Sequence, residues 1–419
     1  MQLELRNPAQ KIGAVAVLGS LIVTYVALAA LQYWSAHLSN IPDETHLRRA
    51  TWLDPGNAEY RYRLGRYELL TQLSPQAALP WLRSAVSLNP NRARYWLDLS
   101  LASQVMGDTN SAKDALDRGV IAGPHTLNIA WQAANLYLSQ GEAEKARQEL
   151  RAVMEHDPYL GSEAVQACWK VRPDIDYLLS DVVPPNVDEP FLEFLISKNA
   201  GNAAAKVWAR AVSLQQAIDR RYLFEYMRYL IAHHDVSQAA LVWQQAASLS
   251  GLAAYQSSSE NLLVNSDFSM DILNGGFDWI HKKINGVTLN LDPNEAYSGR
   301  SLRITFDGPG IEDAGIRQLV PLEPNTRYEF TAFYKAQEMD GAGGPKFAIQ
   351  DLYRETPLLM TEELHDTDSW KQEGGVFVTG PETDLIVVRI ARVPAGSPIR
   401  GKLWIDGLKL TRFEGKGTN

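Results

Sequence analysis

A proline recurs at a nearly constant interval through the first half of this chain. Pro55, Pro90, Pro124 and Pro158 are 35, 34 and 34 residues apart, and they close the phrases WLDP, SLNP, IAGP and EHDP. A period of about 20 to 50 residues is typical of a supersecondary unit that is built several times. Because one such unit cannot bury its apolar face alone, successive units must stack on each other. The period therefore predicts a solenoid.

Small and large residues occupy matching places inside this period. They are Trp96, Leu99, Gly107, Ala112 and Leu116 in one unit, and Ala130, Ala133, Ala134, Tyr137, Gly141, Ala146 and Leu150 in the next. Small residues let the two helices of a hairpin approach closely, while large ones fill the groove against the next unit. The pattern resembles the tetratricopeptide-repeat family over residues 43–158, which implies three helical hairpins there.

The pattern becomes weaker after Pro158. Residues 159–189 contain several prolines, which the interior of a regular helix does not tolerate, so we expect a connector there. Helical spacing returns in residues 190–254, where the pair formed by Ala204 and Trp208 is repeated 35 positions later. We interpret this range as degenerate helical repeats.

A stacked helical array presents a concave face, and the family resemblance implies that this face binds a protein partner. The alternative is a spacer that only holds the C-terminal part of the chain away from a membrane. The sequence does not tell which exposed side chains point into the groove, so both interpretations stay open.

The chain begins with an apolar segment long enough to cross a membrane. Residues 12–34 contain no Asp, Glu, Lys or Arg, and about 20 helical residues span a hydrocarbon core of roughly 30 Å. Arg6 and Lys11 precede the segment, so the positive-inside rule places residues 1–11 in the cytoplasm. We predict a single-pass anchor in the inner membrane, with the bulk of the chain in the periplasm. The alternative is a cleaved signal peptide, because ALAA at 27–30 has the small residues that a signal peptidase requires.

Charge and cysteine content argue against several classes of partner and site. The net charge is −9 and no run of basic residues is present, so nucleic acid is not expected as a partner. The single cysteine, Cys168, allows neither a disulfide within the chain nor a cysteine-based zinc site. The sequence contains no Walker loop, nucleophile elbow or H-E-x-x-H motif, so we expect a protein that is not an enzyme.

The pattern of the sequence changes after a polar linker that we predict at residues 255–260. Short runs with alternating apolar residues replace the Ala-rich segments, most clearly at Tyr328, Phe330, Ala332 and Tyr334. A period of two is that of a strand with one buried face, so the runs predict an antiparallel β-sandwich. The candidate strands are 301–306, 315–322, 327–336, 346–353, 371–379, 384–393 and 401–412.

Five phrases of this region resemble, in order, landmarks of the jelly-roll carbohydrate-binding modules, which are galactose-binding-like. They are NLLVNSDF (261–268), AYSGRSLRITF (296–306), VPLEPNTRYEFTAFYKA (320–336), DSWKQEGGVFVTG (368–380) and GKLWIDGLKLTR (401–412). The resemblance implies a jelly roll over residues 261–412, a tail at 413–419 and a polysaccharide ligand. The expected fold class is multidomain: a transmembrane helix, an all-α tetratricopeptide-like solenoid and an all-β antiparallel jelly-roll sandwich.

Aromatic side chains are the candidate glycan contacts, because the apolar face of a pyranose stacks on a flat ring. Phe333, Tyr334 and Tyr353 lie on strands that are expected to line a ligand face, and we predict that they stack on sugar. Trp279 and Trp370 match framework positions of the family, so we expect both in the core.

Many of these modules carry a structural calcium. The resemblance implies oxygen ligands from an acidic residue after the N-x-x-F landmark and from the Asp of the last strand, here Asp406. This chain has Ser269 where the family usually has Glu, so Asp267 or Asp271 would have to supply the missing oxygen. A structural calcium at these three aspartates is therefore the one cofactor that the sequence suggests.

Together these features predict a non-catalytic periplasmic scaffold that binds a protein partner through its helices and a glycan through its sandwich. The resemblance implies an accessory role in surface or exopolysaccharide biosynthesis or export. Two alternatives stay open. One is an envelope assembly factor whose sandwich binds only protein, and the other is a polysaccharide hydrolase whose site no motif reveals.

Overall fold

The computed structural model describes residues 8–123 and 126–413. It divides the chain into two compact units, Met1–Phe191 and Leu192–Asn419. Several features named above lie outside the described residues: Arg6 and most of the predicted tail at 1–11, the repeat residue Pro124, and most of the predicted tail at 413–419.

The N-terminal helix α1, Pro8–Ser39, is apolar and exposed over most of its length. Its side chains include Val15, Leu21 and Tyr25, which are 72%, 65% and 74% exposed. The segment Lys11–Ser39 is long and apolar enough to cross a membrane. A membrane span and a signal sequence both have this character, because lipid covers the apolar side chains in either case.

Three helical hairpins follow in the first unit, as the repeat period predicted. The helices are α2 (Glu44–Leu53), α3 (Ala58–Leu70), α4 (Pro75–Leu88), α5 (Ala93–Val105), α6 (Thr109–Ala122), α7 (Leu127–Ser139) and α8 (Ala143–His156). The pairs α3 and α4, α5 and α6, and α7 and α8 pack as hairpins. Gly107 and Gly141 lie between the helices of their hairpins with φ of 81° and 77°, which glycine adopts at little cost.

Small residues lie where these helices approach each other. A Cβ atom at Gly65 would come within 2.8 Å of Leu82, so α3 and α4 pack closely at this point. Ala112, Ala133 and Ala146 are fully buried. The predicted spacing of small and large residues therefore corresponds to the packing of the hairpins.

The range expected to be a connector begins with a regular helix. The elements are α9 (Pro158–Val171), α10 (Ile175–Tyr177), a π-helical turn (Leu178–Val182), a 3₁₀ turn (Pro185–Val187) and α11 (Asp188–Ser197). The carboxylate of Asp157 caps α9 by accepting hydrogen bonds from the backbone N–H groups of Tyr159 and Leu160, at 2.9 and 3.0 Å. Pro158 takes the first helical position, where no backbone N–H is needed.

The second unit contains three further helices, α12 (Gly201–Ser213), α13 (Arg220–Ala232) and α14 (Val236–Leu249). The two tryptophans of the repeated Ala–Trp pair, Trp208 and Trp243, are 2% and 3% exposed. The indole N–H of Trp208 donates to Oε1 of Gln245 at 2.6 Å, which ties α12 to α14.

Two antiparallel five-stranded sheets form the β-sandwich, which confirms the predicted fold class. The strands are β1 (Ile280–His281), β2 (Val287–Asp292), β3 (Ser301–Gly310), β4 (Asp313–Pro321), β5 (Arg327–Gly341), β6 (Pro345–Asp351), β7 (Pro357–Met360), β8 (Lys371–Val378), β9 (Leu385–Arg392) and β10 (Pro398–Arg412). One sheet has the order β1-β4-β9-β6-β7, and we call it sheet A; the other, sheet B, has the order β2-β3-β10-β5-β8. Between them lies one apolar core, in which Phe330 of sheet B and Phe347 of sheet A meet edge to face at 5.4 Å.

The sandwich packs directly on α13 and α14. Two glycines of the turn before β1 make the approach possible: a Cβ atom at Gly275 would lie 2.4 Å from the ring of Phe224, and one at Gly276 would lie 2.0 Å from the ring of Trp243. The indole N–H of Trp243 donates to the carbonyl of Tyr255 at 3.1 Å. The segment expected to be a linker at 255–260 is thus attached to α14 at its beginning.

Candidate functional site

An aromatic cluster lies on the outer face of sheet B. The alternation of β5 turns Ala332 and Tyr334 into the core and leaves Phe333 on the outside. The loop between β2 and β3 places the ring of Tyr297 on that of Phe333, with centroids 3.7 Å apart and planes 11° apart. Trp370 meets Tyr297 edge to face at 6.2 Å. We call these three side chains the aromatic platform.

One ring of the platform is open to solvent. Tyr297 is 51% exposed although one of its faces is stacked on Phe333. Its other face can therefore contact a ligand. A flat ring that is already held in place suits the apolar face of a pyranose, because little side-chain freedom is lost on binding.

The carboxylate of Asp406 holds the loop that carries Tyr297. Its Oδ2 accepts the backbone N–H groups of Tyr297 and Ser298 at 2.8 and 2.6 Å, and its Oδ1 accepts that of Gly407 at 2.6 Å. Burial raises the pKa of Asp406 to about 6, although these hydrogen bonds favour the ionised form. An ion pair between Lys335 and Glu295, at 3.1 Å, attaches the same loop to β5.

The structure places the three predicted stacking residues in three different environments. Phe333 belongs to the platform, but its exposed face is covered by Tyr297. Tyr334 is 1% exposed and is a core residue, so it has no face for a sugar because β5 turns it inward. The hydroxyl of Tyr353 donates to the carbonyl of Ile231 at 2.8 Å, and its ring stacks on His234. Tyr353 therefore joins the sandwich to α13.

Sequence reasoning missed Tyr297 and assigned Trp370 to the core. Trp279, also expected in the core, is 2% exposed and donates its indole N–H to the carbonyl of Asn265 at 3.0 Å. Trp370 instead is half-buried at the edge of the platform. The signal that could have identified Tyr297 is a large aromatic residue inside the otherwise polar turn DPNEAYSGR. Such a residue has no core to enter unless the loop folds back over the sheet.

The three predicted calcium ligands have other partners in this structure, and calcium binding by them stays a prediction. The oxygens of Asp406 face three backbone N–H groups, which would repel a cation. Asp271 pairs with Arg300, whose Nη1 lies 3.3 Å from its Oδ1, and Asp267 accepts the N–H and hydroxyl of Ser269 at 3.1 and 2.8 Å. Within residues 8–123 and 126–413, no group of three or more His, Cys, Asp or Glu side chains is arranged to hold a metal ion.

The guanidinium of Arg300 instead supplies positive charge at this loop. Its Nε donates to the carbonyl of Phe268 and its Nη2 to that of Ser269, both at 2.9 Å. Carbonyl and carboxylate oxygens of this kind are the ligands that calcium prefers. For Asp271 to bind calcium, its carboxylate would have to give up the contact with Arg300.

The first unit contains a separate cavity of about 380 Å³. Apolar side chains form most of its wall, and they include Leu138, Leu150, Val171, Leu178 and Val182. At its edge, the guanidinium of Arg172 lies 4.0 Å from the ring centre of Tyr177, and that of Arg147 lies 5.4 Å from it. Burial raises the pKa of Cys168, which also lines the cavity, to about 12, so its thiol is un-ionised at neutral pH. The cavity suits an apolar side chain of a partner.

No protein-family profile and no curated protein matches the chain in sequence. Among solved structures, a CBM4 module is 15% identical, with 36% of this chain and 99% of that chain covered and a TM-score of 0.28. The CBM22-1 xylan-binding domain from Paenibacillus barcinonensis Xyn10C is 14% identical, with 38% and 99% covered and a TM-score of 0.27. MamA, a tetratricopeptide-repeat protein, is 18% identical, with 48% and 98% covered and a TM-score of 0.29. Each of these likenesses covers less than half of this chain.

Proposed function

We propose that this protein is a non-catalytic scaffold, anchored in the inner membrane, that contacts a glycan through its sandwich and a protein partner through its helices. The observation that carries the glycan part is the open face of Tyr297, which is held parallel to Phe333 at 3.7 Å. A rigid exposed aromatic plane is the feature that stacking on a sugar requires. Polar groups beside it, in the ion pair of Lys335 and Glu295, can bond hydroxyls at the edge of the ring.

We place the surface that binds the protein partner on the helical hairpins of the first unit. Stacked helical hairpins present long surfaces on which extended or helical segments dock. The cavity beside Tyr177 supports this assignment, because its apolar wall can take one side chain and its two arginines can bond backbone carbonyls of the segment. The alternative is an assembly factor that binds only protein, and it predicts no sugar binding under any condition.

The proposed location is supported by α1 and the charges beside it. The segment Lys11–Ser39 is long and apolar enough to span a bilayer, and the positive residues Arg6, before it, and Lys11, at its first position, favour a cytoplasmic N-terminus. A tethered sandwich in the periplasm would meet polysaccharide during its synthesis or export, and this gives the proposed accessory role. A reporter fused after Asn419 tests the topology: activity restricted to the cytosol would refute it.

The test of the glycan contact uses the full chain in detergent and a panel of soluble neutral oligosaccharides, with affinity measured by calorimetry. We expect Tyr297→Ala to weaken binding about 10-fold, because loss of one aromatic contact costs about 1.4 kcal/mol. Tyr159→Ala is the matched control, since Tyr159 is 78% exposed in the first unit. If no oligosaccharide binds, or if both variants bind like the unaltered chain, the proposed contact is wrong. Release of reducing ends from any polysaccharide would instead show catalysis.

A further inference from the structure

The strand β2 is a free edge of sheet B. It pairs with β3 on one side, and within the described part of the chain no strand pairs with its other side. Edge strands of native proteins are usually protected by charged side chains, prolines or bulges, which prevent pairing with another chain. The opposite edge strand, β8, contains Lys371 and Glu373. In contrast, β2 pairs with β3 without a bulge and has no charged residue before Asp292, so it lacks this protection.

The backbone groups of alternate β2 residues point to this free edge. The N–H of Asp307 donates to the carbonyl of Gly286, with 3.0 Å between nitrogen and oxygen, so these two opposite residues form a hydrogen-bonded pair. Such pairs alternate along an antiparallel ladder with pairs that are not hydrogen-bonded. The register continues unbroken into β2, so its even-numbered residues bond β3. The residues that direct their N–H and C=O groups to the free edge are therefore the odd-numbered ones, Val287, Leu289 and Leu291.

Leu289 is the centre of this edge. Its N–H and C=O, and those of Leu291, have no further backbone partner among the residues that the structure describes. The N–H of Val287 donates to the carbonyl of Ile284 at 3.2 Å, but the carbonyl of Val287 remains open. The edge thus offers donors and acceptors on both sides of Leu289 and at Leu289 itself.

The side chains of β2 are sorted between its two faces. Val287, Leu289 and Leu291 are partly buried and pack against the core, whereas Thr288 and Asn290 are exposed on the outer face. Opposite residues of antiparallel strands project from the same face. A second β2 strand with Leu289 opposite Leu289 therefore continues the apolar row on the core side and places Thr288 opposite Asn290 on the outer side. A shift by one residue would set apolar side chains opposite polar ones.

The charges beside β2 also suit a second copy of the same strand. Lys282 and Lys283 precede the strand and are exposed, and neither forms an ion pair within residues 8–123 and 126–413. Glu295 follows the strand, and its Oε1 lies 3.1 Å from Lys335, which leaves Oε2 for a second cation. Antiparallel pairing brings the basic start of one strand toward the acidic end of the other. This complementarity favours a second copy over an unrelated strand, which need not supply it.

We propose that two copies of this chain associate through their β2 strands, antiparallel and with Leu289 on the two-fold axis. The two Leu289 residues bond each other through N–H and C=O, and the N–H of Leu291 donates to the carbonyl of the partner's Val287. The two copies of sheet B then form one continuous sheet, with the aromatic platforms on the same side of it. The pairing needs no glycan, so its test is separate from that of the proposed function.

The first experiment measures the mass of the full chain in detergent by sedimentation equilibrium. We expect the protein part to have twice the mass of one 46.7 kDa chain. The double substitution Thr288→Lys with Asn290→Lys should raise the dissociation constant at least about 10-fold, because opposed like charges destabilise paired strands. The matched control, Val376→Lys with Val378→Lys, adds two lysines at exposed positions of β8 and should leave the dimer unchanged.

Three results would overturn the proposal. A chain that stays monomeric would leave β2 to a strand of another protein. A dimer that persists unchanged with lysines in β2 would have its interface elsewhere, for example along α1. A dimer that both double variants weaken equally would not depend on β2 in particular.

Disulfide cross-linking tests the register. In the proposed pairing, Thr288 and the partner's Asn290 form a pair that is not hydrogen-bonded, with Cα atoms about 4.5 Å apart and within reach of a disulfide. Thr288→Cys chains should therefore be cross-linked to Asn290→Cys chains when the two are mixed and oxidised. Neither variant alone should be cross-linked, because its two cysteines would lie two positions out of register. The unaltered chain is the control, since its cysteine, Cys168, is buried. Cross-linking of one variant alone, or none in the mixture, contradicts the proposed pairing.

Discussion

Helices of the first and second units bury the same kind of apolar face against different neighbours. In the first unit, α3 and α4 pack on each other at Gly65 and Leu82. In the second unit, a glycine outside the helices, Gly276, makes the close approach, and its partner is Trp243 of α14. The comparison shows that a small residue opposite a large one is a general device for close packing. When the small residue lies on another helix, the two helices pack as a hairpin of the array. When it lies in a turn of the sandwich, the helix packs against the sandwich instead.

The largest effect should follow from removing Trp243, which is 3% exposed, lies on α14 and contacts Phe277 in the turn before β1. We expect Trp243→Ala to destabilise the second unit by about 3 to 5 kcal/mol, because a buried aromatic leaves a cavity. Hydrogen exchange measured by mass spectrometry should show faster exchange in α14 and in the sandwich. Leu82→Ala is the control, with faster exchange confined to α3–α8. Unchanged exchange in the sandwich of the Trp243 variant would show that the helices and the sheets do not depend on each other.

A smaller effect should follow from adding one methyl group at Gly276. Its φ is 63°, and a Cβ atom there would lie 2.0 Å from the Trp243 ring, so Gly276→Ala combines backbone strain with a clash. We expect a loss of about 2 to 4 kcal/mol in the free energy of unfolding, measured with urea. Gly107→Ala separates the two causes: its φ is 81° but open space surrounds it, so only about 1 to 2 kcal/mol should be lost. Equal losses in the two variants would contradict the close contact with Trp243.

A fall in pH should change the stability of the two units in opposite directions. In the second unit, burial raises the pKa of Asp278 and of Asp406 to about 6. Each is protonated in the folded state at pH 5 but ionised in the unfolded chain. Folding therefore takes up protons, and stability should rise by about 1 kcal/mol for each of the two carboxyls between pH 7 and pH 5.

In the first unit, burial works against the charge of Asp117, but hydrogen bonds from Lys145 and Tyr137 outweigh it and keep its pKa below the ordinary value. Its stabilising contribution should be lost as the pH falls below about 4. Urea denaturation at several pH values checks both directions. Asp406→Asn should make the free energy of unfolding less dependent on pH between pH 5 and 7. Asp117→Asn should do the same below pH 4. The same slope in Asp406→Asn and the unaltered chain would contradict the raised pKa.

The smallest effect should come from the hydroxyl of Tyr353, which bonds the carbonyl of Ile231 at 2.8 Å. Tyr353→Phe keeps the ring on His234 and removes one hydrogen bond, so we expect a loss of about 1 kcal/mol. The free energy of unfolding in urea provides the measurement, with Tyr159→Phe as the control at an exposed position. A higher free energy of unfolding for Tyr353→Phe would mean that the hydroxyl is strained in its hydrogen bond to Ile231.

Much of the architecture could be predicted because helical hairpins and strands each impose a regular spacing on the apolar residues of the sequence. The 34-residue interval corresponds to the hairpins α3 to α8, and the alternation at Tyr328, Phe330 and Ala332 corresponds to the inward face of β5. The functional surfaces were harder to predict, since each combines strands that are distant in sequence. Tyr297 and Phe333 meet across 3.7 Å although two whole strands, β3 and β4, separate them in the chain. Alternation alone puts Tyr334 and Phe333 on opposite faces of β5, yet both were predicted to stack on sugar, and alternation did not tell which outward ring would be covered.

The local order of residues was sufficient for the apolar N-terminal helix, the repeat array and the two-sheet sandwich, because helix and strand formation respond to neighbours a few positions away. Folding in three dimensions was needed to bring Tyr353, a predicted sugar contact, onto α13, and to set Arg300 beside Asp271, a predicted calcium ligand. It also placed β2 at an edge of sheet B. These outcomes depend on strand register and on which surfaces meet, and both are settled by the packing of the whole unit and not by any short stretch of chain.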